Sequence, residues 1–163
     1  MNTSFERSVS GKDEWLTPKY IIEALGEFDL DPCSPIVRPW NTAKRHYTIE
    51  DDGLTKDWGS DSKVFMNPPY GNQTSKWMKK LSEHGNGIAL IFARTETRMF
   101  FDYIWNKAHA IMFLKGRLSF YNVDGTKGKN SAGAPSCLVA YDLYNEILLQ
   151  RSGLNGKYIK LIV

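Results

Sequence analysis

The spacing of apolar side chains changes along this chain, and each spacing predicts an element. Residues 1–12 are polar and are expected to be frayed, as chain ends usually are. Thr17-Pro18 then reads as an N-cap with proline at the first helical position, with Ile21, Ile22 and Leu25 on one face and Gly26 as the stop. Phe28 to Asp31 alternates apolar and acidic side chains before Pro32, which predicts a short strand carrying a carboxylate at its C-terminal end. Residues 33–46, with Pro35, Pro39 and Asn41, read as loop, followed by a short strand at Tyr47 to Ile49. Lys63 to Met66 is a clearer strand, and it has to stop at Asn67 because Pro68 and Pro69 bring no N–H to a ladder.

Gln73 to His84 carries Trp77, Met78 and Leu81 at helical spacing, with Gly85 or Gly87 as its end. The unbroken apolar run Ile88 to Ala93 predicts a strand covered on both faces in a parallel sheet. A second helix starts near Thr95 or Thr97, runs to about 108 and uses Phe100, Phe101, Ile104 and Trp105 as its buried side. A strand at Ala110 to Leu114 follows, which Leu118 to Tyr121 extends or succeeds, and Cys137 to Tyr141 reads as its partner after a loop rich in Gly, Lys and Ser. Two apolar segments, Ile147 to Leu149 and Tyr158 to Val163, close the chain. Alternation of strands and helices between about 63 and 110 implies βαβ units, hence an α/β fold with a mostly parallel central sheet. Such sheets bind ligands outside the carboxyl ends of their strands. Asp31 and Asn67, both at strand ends, are therefore expected on one rim.

Composition narrows the class. With 163 residues, 42% hydrophobic and 24% charged, the chain reads as one soluble compact domain over residues 13–163. Cys33 and Cys137 are its only cysteines, which excludes a disulfide framework, and no CxxC or His-rich cluster offers zinc spacing, so no metal is expected. His46, His84 and His109 are scattered and receive no catalytic role. Without an apolar signal core or a run of 18 apolar residues, neither a signal peptide nor a membrane span is expected, and the expected compartment is the cytoplasm. The net charge of +3 is mild but segregated. Lys115, Arg117, Lys127 and Lys129 face only Asp124 in one window, whereas Glu50, Asp51, Asp52, Asp57 and Asp61 face only Lys56 in another. The basic window suits a phosphate backbone as well as it suits a solvated loop.

Asn67-Pro68-Pro69-Tyr70 carries the most chemical information. A turn that merely ends a strand needs neither a side-chain amide nor an aromatic ring there. An exocyclic amine that must act as a nucleophile needs both, because its lone pair is delocalised into the ring and its two N–H groups must be held by acceptors aimed at the geometry of attack. The Asn67 side-chain oxygen supplies one acceptor, and the Pro68 carbonyl, its direction set by the prolines, supplies the other. Tyr70 offers a flat face for a planar base. A base within a duplex is out of reach, so such a site implies extrusion of the target nucleotide.

DEWLTP (Asp13 to Pro18), FDLDPCSP (Phe28 to Pro35), DGL with a following Trp58, VFMNPPYG (Val64 to Gly71) and KGRLSF (Lys115 to Phe120) together resemble the phage-type Dam DNA adenine-N6 methyltransferases, in family order. The resemblance implies a Rossmann-like methyltransferase fold with a C-terminal antiparallel hairpin, and S-adenosylmethionine as methyl donor. It also implies double-stranded DNA as substrate, with GATC as the suggested target, and a phage or prophage origin. Carried over by position, Trp15, Thr17 and Pro18 match the N-terminal cofactor block, and Asp31 and Pro32 match the Asp-Pro of the cofactor loop. Asp31 suits the ammonium of the methionine moiety. Asp52 and Leu54 are candidates for the cofactor's ribose or adenine, with Glu50 or Asp51 as alternatives for the ribose.

Two departures from better-known adenine methyltransferases stand out. Cys33, Ser34 and Pro35 occupy the place of a glycine-rich loop that would let a cofactor approach the backbone, and there is no room for a separate target-recognition domain. DNA contacts are then expected from loops: Arg38, Lys44 and Arg45 in residues 34–46, and Lys127 and Lys129 in residues 122–135. Arg117 is equally a phosphate contact or a structural ion pair. Trp40, Trp77 and Trp105 are expected to pack or to anchor loops. Rival readings are methyl transfer to an RNA base or to a protein glutamine, whose planar amides present the same geometry, and a non-catalytic nucleic-acid-binding remnant.

Overall fold

The computed structural model describes residues 14–162, so the expectation for residues 1–12 lies outside the described residues. Helix α1 (Lys19–Leu25) buries Ile21 and Leu25 and ends at Gly26, whose φ of 88° only glycine adopts freely. Pro18, one position earlier than expected, stands at the N-cap, and no side chain caps the helix. The Thr17 hydroxyl is engaged elsewhere, with Asn67.

Strands β1 (Leu30–Asp31), β2 (Arg45–His46) and β3 (Val64–Met66) are followed by α2 (Thr74–His84) and β4 (Gly87–Phe92). The strand expected at Tyr47 to Ile49 falls two residues earlier, because Arg45 and His46 take the register opposite Leu30 and Asp31. Asp51 then draws the Thr48 N–H into a turn. Helix α3 (Arg98–Phe100), capped by the Thr97 hydroxyl, widens at once into a π-helical turn over Phe101–Trp105. That widening turns Phe101 outward, against expectation, while Phe100 and Ile104 stay buried. Strand β5 (Ala110–Leu114), strand β6 (Ser136–Tyr141), helix α4 (Leu143–Gln150) and strand β7 (Gly156–Lys160) complete the fold.

The seven strands lie in the order β2-β1-β3-β4-β6-β5-β7. Pairs β1·β2, β1·β3 and β3·β4 are parallel, whereas β4·β6, β5·β6 and β5·β7 are antiparallel and form the longer ladders. The expectation of a mostly parallel sheet is therefore corrected. An unbroken apolar run reports that a strand is covered on both faces, not which way its neighbour runs. The loop from β5 to β6 contains no crossover helix, so β6 returns antiparallel and wedges between β4 and β5. β4 and β5 still point the same way, since both oppose β6.

Alternate residues of β4 feed two cores. Ala89 and Ile91 pack with Trp77, Met78 and Leu81 of α2 and Ile104, whereas Ile88 and Leu90 pack with Ile21, Leu25 and Leu149 from α1 and α4. The sheet is thus sandwiched between helical layers, a mixed α/β architecture. α4 escaped the hydrophobic pattern because its inner face carries Asn145 and Glu146, both buried. Asn145 donates to Tyr141 O and Asn86 Oδ1, both at 2.7 Å, and Glu146 accepts from Tyr158. Among the described residues, no helix is long and apolar enough to cross a membrane, and no group of three His, Cys, Asp or Glu side chains is placed to hold a metal.

Candidate active site

β1, β3, β4 and β5 all end on one rim of the sheet, and the segments that follow them meet there. Asp31, only 3% exposed, ends β1; its Oδ1 accepts from the Cys33 N–H at 3.1 Å and its Oδ2 from the Thr42 hydroxyl. Burial pushes its pKa up to about 6, although Thr42, the Cys33 N–H and the Arg38 charge pull it down. A buried carboxylate held by neutral donors is suited to receive a cation. The Cys33 thiol, its own pKa raised by burial and by Asp31, donates to Asn67 O at 3.4 Å and ties this loop to the end of β3.

Asn67 donates from Nδ2 to Thr17 Oγ1 and accepts at Oδ1 from the Tyr70 hydroxyl, each at 3.1 Å. Burial raises the Tyr70 phenol far above its ordinary range, so it stays protonated and able to donate. The Tyr70 ring stacks on Phe92 at the end of β4, centroids 4.0 Å apart and planes 15° from parallel, with Phe120 edge-on at 6.0 Å. The Thr74 hydroxyl bonds Pro69 O at 2.7 Å and pins the turn to the start of α2. A cavity of about 160 Å³ opens beside this stack, lined in part by Tyr70, Phe92, Arg94, Thr97 and Met99.

The loop that follows Asp31 lacks glycines, yet a glycine reaches it from another segment. A Cβ on Gly53 would lie 2.0 Å from Pro32 O, so only glycine permits this contact. Asp52, at φ 55°, and Leu54 flank it, and the Lys80 ammonium bonds the carbonyls of Gly53 and Leu54. Trp15 lies against Gly128, and Leu16 pairs antiparallel with Tyr121, joining the N-terminal segment to the 115–135 loop. Trp40 donates to Thr17 O at 3.0 Å and anchors its loop.

Of the basic candidates, Arg117, Lys127 and Lys129 are exposed on the loop that leaves β5 at this rim. Arg117 bonds Gly133 O across the loop, and Lys127 pairs with Tyr121 in a tight hairpin. Arg38 spends its guanidinium on Pro35 O, Ile36 O and Asn41 Oδ1. Lys44 and Arg45 lie at the other end of β2: Lys44 is near Glu27 and Asp29, and Arg45 bonds Trp58 O and Ser62. The structure therefore brings Thr17, Asp31, Pro32 and the 67–70 tetrapeptide together and leaves Lys44 and Arg45 apart. Sequence reasoning missed Thr42, Phe92 and the contact of Gly53. Phe92 had a signal, an aromatic at the C-terminal end of a buried strand.

An Asn-Pro-Pro-Tyr turn and a buried carboxylate stand at adjoining strand ends of a mixed α/β sheet, acceptors that by their chemistry suit a planar amine and a cation respectively. The DNA N-6-adenine-methyltransferase (Dam) family matches residues 5–155, and the chain belongs to that family. A DNA N-6-adenine-methyltransferase of Escherichia phage T1 is 25% identical over 122 residues, 71% of this chain. The chain spans half the length of that relative. No solved structure matches the chain.

Proposed function

We propose that the protein transfers a methyl group from S-adenosylmethionine to N6 of an adenine extruded from double-stranded DNA, on a Rossmann-like methyltransferase scaffold. The observation that carries this reading is the Asn67–Tyr70 turn backed by Phe92 on the rim that also holds Asp31. Membership of the Dam family supports the substrate class, and the name of the phage T1 relative agrees with it.

The residues fit the donor. Asp31 would take the ammonium of its methionine part, Pro32 and Gly53 would bound the loop beside it, and Asp52 and Leu54 would face its ribose and adenine. Bound there, the donor supplies an electrophilic methyl on a sulfonium. Asn67 Oδ1 and Pro68 O would accept the two N6 hydrogens of the target base, and Tyr70 would carry its ring. Oδ1 has two lone pairs, so it can hold the Tyr70 hydroxyl and the amine together. This chain's task is alignment and exclusion of water, and the methylated amine is acidic enough to lose its proton afterwards.

Arg117, Lys127 and Lys129 serve as phosphate contacts in this reading, while Lys44 and Arg45 hold the structure. Methyl transfer to DNA free of N6-methyladenine, with modified positions read by single-molecule sequencing, tests it. Adenine modified by the wild type and not by Asn67→Ala is the expected result. Cofactor binding without transfer to any DNA would refute the substrate and direct the search to RNA and to protein glutamine.

A further inference from the structure

Resting on the DNA reading, we propose that Val37, with Ile36 beside it, is the wedge that enters the duplex and fills the place of the extruded base. The two are large apolar side chains left 62% and 44% exposed. They sit at the tip of the loop that follows Asp31, on the rim of the active site.

The tip is stiff. Arg38 binds the carbonyls of Pro35 and Ile36 together with Asn41, and the Ile36 N–H bonds Glu14 at 3.3 Å. A Cβ on Gly125 would touch Pro39 at 3.0 Å, so the turn of the 120–128 hairpin packs directly on this loop. Trp40 fastens the same loop to Thr17, which itself holds Asn67. An exposed β-branched tip thus sits on a braced loop joined by two hydrogen bonds to the side chain that receives the amine.

Surroundings separate this tip from the other exposed apolar side chains. Ile49 is more exposed but precedes the acidic run from Glu50 to Asp61, which repels phosphates. Leu143 and Tyr144 follow the end of β6 that pairs with Gly87, at the opposite rim. Among the described residues Tyr20 is also exposed near this rim, close to Tyr121, but it sits on the first turn of α1. Ile36 and Val37 instead lie on a loop that packs against the basic loop carrying Arg117, Lys127 and Lys129. Proteins that kink or open a duplex insert apolar side chains of this kind between base steps, and extrusion leaves a gap that such a side chain fills.

The test uses duplexes carrying the target sequence found by sequencing wild-type product, with the target adenine opposite thymine or opposite an abasic site. Val37→Ser and Ile36→Ser/Val37→Ser are compared with the wild type in single-turnover methyl transfer. Transfer to the paired duplex should fall roughly ten- to a hundredfold in the variants, the share of the extrusion barrier a wedge offsets. The abasic partner should restore them to within about twofold of the wild type, because little pairing is left to break. Equal rates for variant and wild type on the paired duplex, or an equal loss on both duplexes, would overturn the wedge alone. A wild type that methylates no DNA would remove the DNA reading and the wedge with it.

Discussion

Replacing Asp31 by Asn should make the ligand-free protein more stable at neutral pH while weakening its hold on the cofactor. Burial moves this carboxyl from an ordinary 3.8 to about 6. At ~1.36 kcal/mol per pH unit, holding it ionised at pH 7 costs the fold about 3 kcal/mol. The sign follows from the raised value: the folded state favours the protonated form, so the contribution is fully present below about pH 3.8 and is lost as pH rises through about 6. Asparagine keeps the local bonds, its oxygen accepting from the Cys33 N–H and its amide donating to the Thr42 oxygen. Thermal unfolding across pH 4 to 8 should therefore show Asp31→Asn above the wild type by roughly 6–12 °C at pH 7.5, with the gap closing near pH 4. Calorimetry with S-adenosylmethionine should show the reverse preference. Wild-type affinity should be flat from pH 6.5 to 7 and fall about tenfold per pH unit well below 6, and the Asn variant should be weak throughout. A variant less stable than wild type at pH 7.5, or a wild-type affinity unchanged between pH 5 and 7, would refute the reasoning.

Gly53→Ala forces a methyl into the Pro32 carbonyl and should cost about 3 kcal/mol of stability, read as a lower Tm, with weaker cofactor binding. Phe92→Leu keeps the bulk but removes the ring beneath Tyr70, a stack worth about 1 kcal/mol; kcat should fall more than Tm does, and an unchanged kcat would discount the platform. Lys127→Ala/Lys129→Ala should lower DNA affinity across sequences and reduce the slope of log affinity against log salt by about 2, as a titration between low and moderate salt would show.

The candidate site was legible where its residues are contiguous. Asn67 to Tyr70 needs its residues side by side, and the prolines that end β3 also announce the turn. The place of Asp31 at a strand end was legible because alternation followed by Pro32 marks one. What escaped depends on distant partners. Thr42 reaches Asp31 across 11 positions and Gly53 meets Pro32 from another loop, so neither leaves a local pattern. Sheet direction escaped because burial and direction are separate properties, and the run Gly87–Phe92 reports only the first. The helix after Asp142 escaped because its buried face holds Asn145 and Glu146 in bonds that hydropathy does not see. Thr17 was placed in the site by resemblance and at a helix cap by local pattern, and its hydroxyl serves Asn67.

The position of β6 also sets an order of events at the ribosome. β4 emerges with its β3 side ready to pair, but its other side waits for Ser136–Tyr141, more than forty residues further on. β5 is made in the interval and has no neighbour on either side until β6 and then β7 arrive. A nascent chain halted before residue 136 exposes three apolar strand edges, one of β4 and both of β5, a template for pairing with other chains. The rim loop 115–135 is held at both ends only once β6 has entered the sheet, so the rim and the sheet are completed in one late, long-range step.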